Sequence, residues 1–132
     1  MLRIAKNFTL EELIATETGI SNVPDLREVV CLCYGVHNIL QPMREALGIP
    51  IIINSGFRCQ KVNDKVGGVW NSQHLLGQAV DIKVTSKTRD LIWNYLAKCK
   101  FVDQCLGGSS YVHVSWSPFG TPRQYYSINY YK

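Results

Sequence analysis

Two short segments of unbroken apolar alternation constrain this chain more than any other feature. Gln78-Ala79-Val80-Asp81-Ile82-Lys83-Val84 is one, and Tyr111-Val112-His113-Val114-Ser115-Trp116 is the other. Side chains of a strand point to opposite faces with a period of two, so Val80, Ile82 and Val84 share one face while Ala79, Asp81 and Lys83 share the other. In the second segment Val112, Val114 and Trp116 point one way and His113 the other. Each segment therefore reads as a half-buried strand with an apolar face and a candidate metal ligand opposite. If the two are antiparallel neighbours, directly opposed side chains start from Cβ atoms roughly 5 Å apart, which suits two ligands on one cation.

A third ligand would come from His74. In a continuous helix His74 and Asp81 would lie about 10 Å apart along the axis, so His74 arrives only if the chain turns, and Gly77 offers a place to do so. Two neutral imidazoles and one carboxylate with an open fourth position form the usual catalytic zinc arrangement, unlike a closed structural site. Zinc lowers the pKa of its water to about 7 and polarises carbonyls, the two things that amide hydrolysis needs. Taken singly, each of these side chains has an ordinary structural reading. His37, with no acid or histidine at matching spacing, keeps it.

The remaining elements follow from capping and periodicity. Thr9 and Glu12 predict a capping box that opens a short helix, with Leu10, Leu13 and Ile14 on its apolar side and an end near Gly19. Pro24 to Leu47 reads as the main core helix, with Leu26, Val30, Cys33, Val36 or His37, Leu40, Met43 and Leu47 at helical spacing. Pro24 sits near its first turn, Gly48 lies past its end, and Pro42 bends or interrupts it. Pro50 to Asn54 is β-branched and predicts a short buried strand, punctuated by Ser55-Gly56, with a loop and short helix after it. Thr88 to Lys98 places Leu91, Ile92, Tyr95 and Leu96 on one helical face. From Pro118 onward the chain is rich in Tyr, Gly and Pro without a clear period, and is left to close the sheet edge or to line a groove.

The chain has 132 residues, 46% of them apolar or aromatic and 18% charged. With no repeat, linker or low-complexity run, it reads as a single domain over residues 1–132 with its own core. The net charge of +4 is scattered, without the basic stripe of a nucleic-acid binder. No stretch approaches a membrane span, and a monomer is expected. Five cysteines, Cys31, Cys33, Cys59, Cys99 and Cys105, are an odd number without a C-x-x-C knuckle, so the expectation is mostly buried free thiols rather than a disulfide framework.

Ser72-Gln73-His74-Leu75-Leu76-Gly77-Gln78-Ala79-Val80-Asp81 resembles the S-x-H-x-x-G-x-A-x-D signature of zinc D-Ala-D-Ala carboxypeptidases and related endolysins. Ser55-Gly56-Phe57-Arg58 is similar to their S-G-[YF]-R, and Tyr111-Val112-His113-Val114-Ser115 to their closing W-[IV]-H-[IV]-S. Asn7-Phe8-Thr9-Leu10-Glu11-Glu12-Leu13 and Leu40-Gln41-Pro42-Met43-Arg44-Glu45 extend the resemblance over nearly the whole chain. It implies an α+β fold, packed with helices, whose small central antiparallel sheet carries the metal on one face, as in lysostaphin-type peptidases and the hedgehog signalling domain. It implies zinc held by His74, Asp81 and His113, with Arg58 binding a substrate carboxylate or carbonyl and Ser72 a further substrate contact. The implied substrate is a peptide bond in peptidoglycan stem peptides or crosslinks, cut by a carboxypeptidase or an endopeptidase. Met1 to Lys6 lead into no apolar run, so cytoplasmic synthesis without a signal peptide is expected, with action at the bacterial wall after phage-type release or loss of a leader.

The resemblance breaks at the general base. An Asp or Glu commonly stands about three residues before the final histidine, where this chain has Ser110. Shorter relatives carry a Glu a few residues after an Asp-Gln pair like Asp103-Gln104, where this chain has Leu106-Gly107-Gly108. Asp103 is then the candidate base if its segment folds back. Loss of a general base costs about 100-fold to 10,000-fold in rate, so the alternative reading is a zinc-bearing, catalytically weak wall-binding or phage structural module.

Overall fold

A computed structural model describes residues 2–131, with side chains through Ile128. Strands β1 (Arg3–Ala5) and β2 (Phe8–Thr9) form a small hairpin that leads into helix α1 (Leu10–Ile14). The Thr9 and Glu12 capping box is complete: the Glu12 amide donates to the Thr9 hydroxyl, and the Thr9 amide to the Glu12 carboxylate. The helix stops at Ile14 rather than near Gly19, because its last carbonyls are taken by tertiary partners. The Phe57 amide donates to the Leu13 carbonyl at 2.8 Å, and the Asn22 side-chain amide donates to the carbonyls of Ile14 and Phe57.

Helix α2 (Leu26–Gly35) is capped by Asp25, in a capping box with Glu28; Pro24 precedes it. A π turn over Val36–Leu40 joins it to α3 (Gln41–Leu47). Pro42 has no N–H and its ring crowds the carbonyl four residues back, and the Gln41 amide bonds to the Val36 carbonyl, five residues away. This is the interruption expected at Pro42. The extra residue rotates the apolar stripe, so the core face is Leu32, Val36, Ile39, Leu40 and Met43. Leu26 and Val30, expected on that face, are 79% and 52% exposed.

Strand β3 (Ile52–Ser55), short helix α4 (Gln60–Lys65), a 3-10 turn (Gln73–Leu76), β4 (Ala79–Lys83) and helix α5 (Arg89–Leu96) come next. Three strands, β5 (Val102–Gly108), β6 (Tyr111–Trp116) and β7 (Tyr125–Tyr131), complete the chain. The main sheet has the order β3-β4-β6-β5-β7. It is antiparallel except that β7 runs parallel to β5, which corrects the expectation of a purely antiparallel sheet. β3 is an edge strand rather than a buried one, and Ile52 is 53% exposed. β7 closes the opposite edge, one of the two places open to the tail.

The apolar face of the sheet packs on the helices through Val80, Ile82, Val112, Val114 and Trp116, all inaccessible to solvent. The Trp116 indole donates to the Cys31 carbonyl at 2.8 Å and lies against Gly35, where a Cβ would fall 2.1 Å from the ring. On α5, Ile92 and Leu96 are buried while Leu91 is exposed. All five cysteines are free; only Cys31 and Cys105 are buried and the other three are half-buried. Burial pushes the Cys105 thiol up to about 12, leaving it unreactive. Among the described residues no helix is long and apolar enough to cross a membrane.

The contact between Gly35 and Trp116 has a measurable consequence. Gly35→Ala is expected to destabilise the protein by about 2–3 kcal/mol through overpacking, whereas Gly120→Ala, with nothing within 4 Å of the added Cβ, should stay within about 0.5 kcal/mol. Paired thermal melts check this; equal midpoints for the two variants would contradict the packing described.

Candidate metal centre

The β4–β6 ladder puts Asp81 directly opposite His113, with both side chains on the face turned away from the helices. His74 reaches the same point from the 3-10 turn. Two features shape that turn. The Ser72 hydroxyl accepts from the His74 amide, and Gly77 takes the left-handed φ of +71° that reverses the chain into β4, a conformation that favours glycine. His74 Nε2 then lies 3.4 Å from Asp81 Oδ1, and His113 Nδ1 lies 2.9 Å from the same oxygen.

The three ligand atoms, one from each residue, all lie within 4.8 Å of one another. Ligands on a tetrahedral zinc, each about 2.0–2.2 Å from the metal, stand roughly 3.3 Å apart, so small side-chain shifts bring these atoms onto one ion. His74 Nδ1 lies 2.7 Å from the Gly56 carbonyl. A carbonyl only accepts, so Nδ1 carries a proton and, with a metal bound, Nε2 would offer its lone pair to it, the outer-sphere arrangement common to metal-binding histidines. Burial works against ionising Asp81, but hydrogen bonds and charge from His113 and His74 outweigh it and hold the carboxyl well below the usual carboxylate range. At neutral pH it is an anion facing two imidazoles.

Arg58 completes the cluster. Its Nη2 donates to Asp81 Oδ2 at 3.3 Å, Nε to the Ser55 hydroxyl at 3.1 Å and Nη1 to the Asn63 side-chain oxygen at 3.4 Å. Its amide donates to the His74 carbonyl, which ties the two segments together. Five N–H donors on a guanidinium less the three used here leave two for a ligand. Ser72, expected to touch substrate, is buried with its hydroxyl turned to the His74 amide, though it also borders the cleft beside His113.

Asp103 stands apart from the cluster. Its carboxylate is buried and accepts from the Arg123 amide and side chain and from the Gln73 side-chain amide. Burial opposes its charge, but the Arg123 hydrogen bonds and charge and the Gln73 bond prevail and keep its pKa below the ordinary carboxylate range. A base held by this many donors is a weak proton acceptor, and the geometry makes Asp103 an anchor. It links β5, the residue preceding His74 and the segment before β7.

Residues 102–108 form strand β5, with Leu106 opposite His113 and Gly107 opposite Val112. Gly107 faces the helix layer, where a Cβ would lie 3.1 Å from the Trp93 ring. Gly108 is buried as well, in the part of the strand that pairs with β7. Tyr111 itself borders the cleft with Arg58, Asp81 and His113; its parity with His113 was visible in the sequence. Gln104, Arg123 and the Gly56 carbonyl had no local signal.

Comparison with known proteins adds two findings. Residues 6–115 match the family model described as peptidase M15. A stretch of 49 residues, 36% of the chain, is 47% identical to a zinc D-Ala-D-Ala carboxypeptidase of Streptomyces albus G, and covers 19% of that relative's length.

Asp103 generates a pH-dependent expectation. Its folded pKa is depressed, so its stabilisation is present above the unfolded value of about 3.9 and is lost as pH falls through the lower folded pKa. Asp103→Asn should therefore cost about 1–3 kcal/mol at pH 7 and progressively less below about pH 4. Urea unfolding of both proteins at pH 7 and pH 3 measures it; an equal gap at both pH values would count against this role.

Proposed function

Because the chain belongs to the peptidase M15 family, we propose that it is a zinc-dependent peptidase acting on peptide bonds of bacterial peptidoglycan, in stem peptides or their crosslinks. The observation that carries this reading is the convergence of His74 Nε2, Asp81 Oδ1 and His113 Nδ1 on one point, with the His74 tautomer set by Gly56. The similarity to a zinc D-Ala-D-Ala carboxypeptidase supports the metal and the substrate class. The mixed sheet with its three ligands on one face fits the zinc fold that such peptidases share with the hedgehog domain.

The donor set fits zinc, which takes imidazole nitrogen and carboxylate oxygen in fourfold sites. Zinc polarises a carbonyl oxygen and makes water acidic enough to attack near neutral pH. The chain's own residues do the rest. Asp81 contributes the single negative charge of the set, and Arg58 holds its second oxygen so that Oδ1 stays aimed at the imidazoles. The two remaining N–H groups of Arg58 would grip a carbonyl or carboxylate of the substrate.

A second reading is favoured by one observation. Among the described residues bordering the clefts on either side of His113, Asp81 is the sole carboxylate. A protein of this fold without a proton acceptor would hold zinc and bind wall peptides with little turnover. An assay for release of peptides from purified peptidoglycan, with and without chelator, separates the two readings: chelator-sensitive release supports the peptidase, and zinc-loaded protein that binds without release supports the module.

Two outcomes are expected here. Asp81→Ala should lower zinc affinity by more than the roughly 100-fold typical of losing an outer-sphere partner, while exposed His37→Ala should leave it unchanged; calorimetric zinc titration giving equal affinities would undo the ligand assignment. Wild-type hydrolysis should be slow and should rise about 100-fold or more in Ser110→Glu, which puts an acid at the exposed position where the resemblance expects one. Gly107→Glu, which meets Trp93, should instead lower the melting temperature without raising the rate. Fast wild-type turnover, or equal gains from both glutamates, would overturn this view of β5.

A further inference from the structure

The metal cluster lies inside a groove that continues past it in both directions. The cleft around it, about 320 Å³, shares Arg58 and Val66 with a second cleft of about 310 Å³ that runs on to Thr16, Thr18 and Asn54. On the other side it shares Val69 and His113 with a third cleft of about 310 Å³, bordered by Asn71, Gln104 and Arg123. Gln104 and Arg123 are shared again with a fourth, of about 390 Å³, which ends at Tyr125. Each cleft is at the small end of the range for ligand sites, and four that adjoin through shared residues suit an extended chain better than a compact ligand.

From this continuity we infer that the protein cuts an internal bond of a peptide that runs on beyond the scissile bond on both sides, as an endopeptidase, and does not trim a single residue from a free C-terminus. A carboxypeptidase needs a wall one residue beyond the metal, with a cation fixed there for the terminal carboxylate. Here further clefts adjoin the cluster on both sides through residues they share with it. The cation nearest the metal, Arg58, is bound into the groove floor by Ser55, Asn63 and Asp81 and lies at the seam between two clefts. The other cation, Arg123, is further along, with its guanidinium held by Asp103 and its side chain 60% exposed. Where the clefts adjoin, Val66 and Val69 stand exposed. Such an apolar lip is covered when a long substrate lies across it.

This inference rests on the peptidase reading of the metal centre, and the test keeps the two apart. Zinc-loaded full chain is given a synthetic stem pentapeptide ending in D-Ala-D-Ala with a free carboxylate, and the same peptide amidated and prolonged by two residues beyond the second D-Ala. The prolonged peptide should be cut at an internal bond, identified by mass spectrometry, with kcat/KM at least about tenfold above that for the free-carboxylate peptide. Cleavage of the free-carboxylate peptide alone, releasing one terminal residue, would overturn the inference. Asn54→Trp and Gln104→Trp block opposite arms away from the zinc ligands. Each should raise KM, or the Kd of the prolonged peptide, by about tenfold while zinc affinity stays constant. If zinc binds and neither peptide is cut, the peptidase reading fails, and the groove is then judged by binding alone. Weaker binding of the prolonged peptide in both variants upholds a groove occupied on both sides; unchanged binding in either variant overturns it.

Discussion

Pairing of Asp81 with His113 across the β4–β6 ladder is the constraint on which the rest of the molecule depends. The same register that opposes them also opposes Val80 to Val114 and Ile82 to Val112, and these four side chains are buried completely. A slip of one residue would turn the apolar set of one strand toward solvent and its ligand toward the helices. Core burial and ligand geometry are thus two faces of one ladder, and the hydrophobic effect that fixes the first also fixes the second. Trp116, at the end of β6, adds a lock by packing on Gly35 and bonding to the Cys31 carbonyl.

Electrostatics explain why the cluster is built with a single carboxylate. Taking a carboxylate out of water costs several kcal/mol unless opposite charge and hydrogen bonds replace the lost hydration. Arg58 and the two imidazoles supply that replacement around Asp81. One negative charge against a divalent cation leaves the site with net positive charge, which is what a Lewis acid acting on a carbonyl requires. A second carboxylate among the ligands would weaken that pull.

Backbone hydrogen bonds hold the distant segments in place. The Arg58 amide meets the His74 carbonyl, and the Phe57 amide meets Leu13, while Asn22 bonds to the carbonyls of Ile14 and Phe57 and receives the Cys59 amide. On the far side, Asp103 gathers Arg123 and Gln73. The 3-10 turn carrying His74 is therefore braced from two directions, by residues 55–58 and by β5, and the groove walls come from the same braces. Asp103 contributes by holding its neighbours, with its acceptor sites engaged away from the metal cluster.

Much of this could be read from the chain. Period two placed Asp81 and His113 on the polar faces of their strands, the capping box at Thr9 opened α1, Pro42 marked the break in the long helix, and Gly77 marked the turn that brings His74 back. These signals are local: a side chain's face, a cap and a missing N–H are set by neighbours a few residues away. Tertiary structure decided the rest. The π turn shifted the buried face of α2 from Leu26 and Val30 to Cys31 and Leu32, because one inserted residue rotates everything before it. α1 ended early because Phe57 and Asn22 claimed its last carbonyls. β5 became a strand despite Gly107-Gly108, because β6 and β7 offered ladders on both sides, and Asp103 became an anchor because Arg123, twenty residues on, arrived beside it. The faces of Asp81 and His113 were thus legible from sequence periodicity, whereas the partners of each side chain and the setting of Asp103 depend on contacts between segments that only folding brings together.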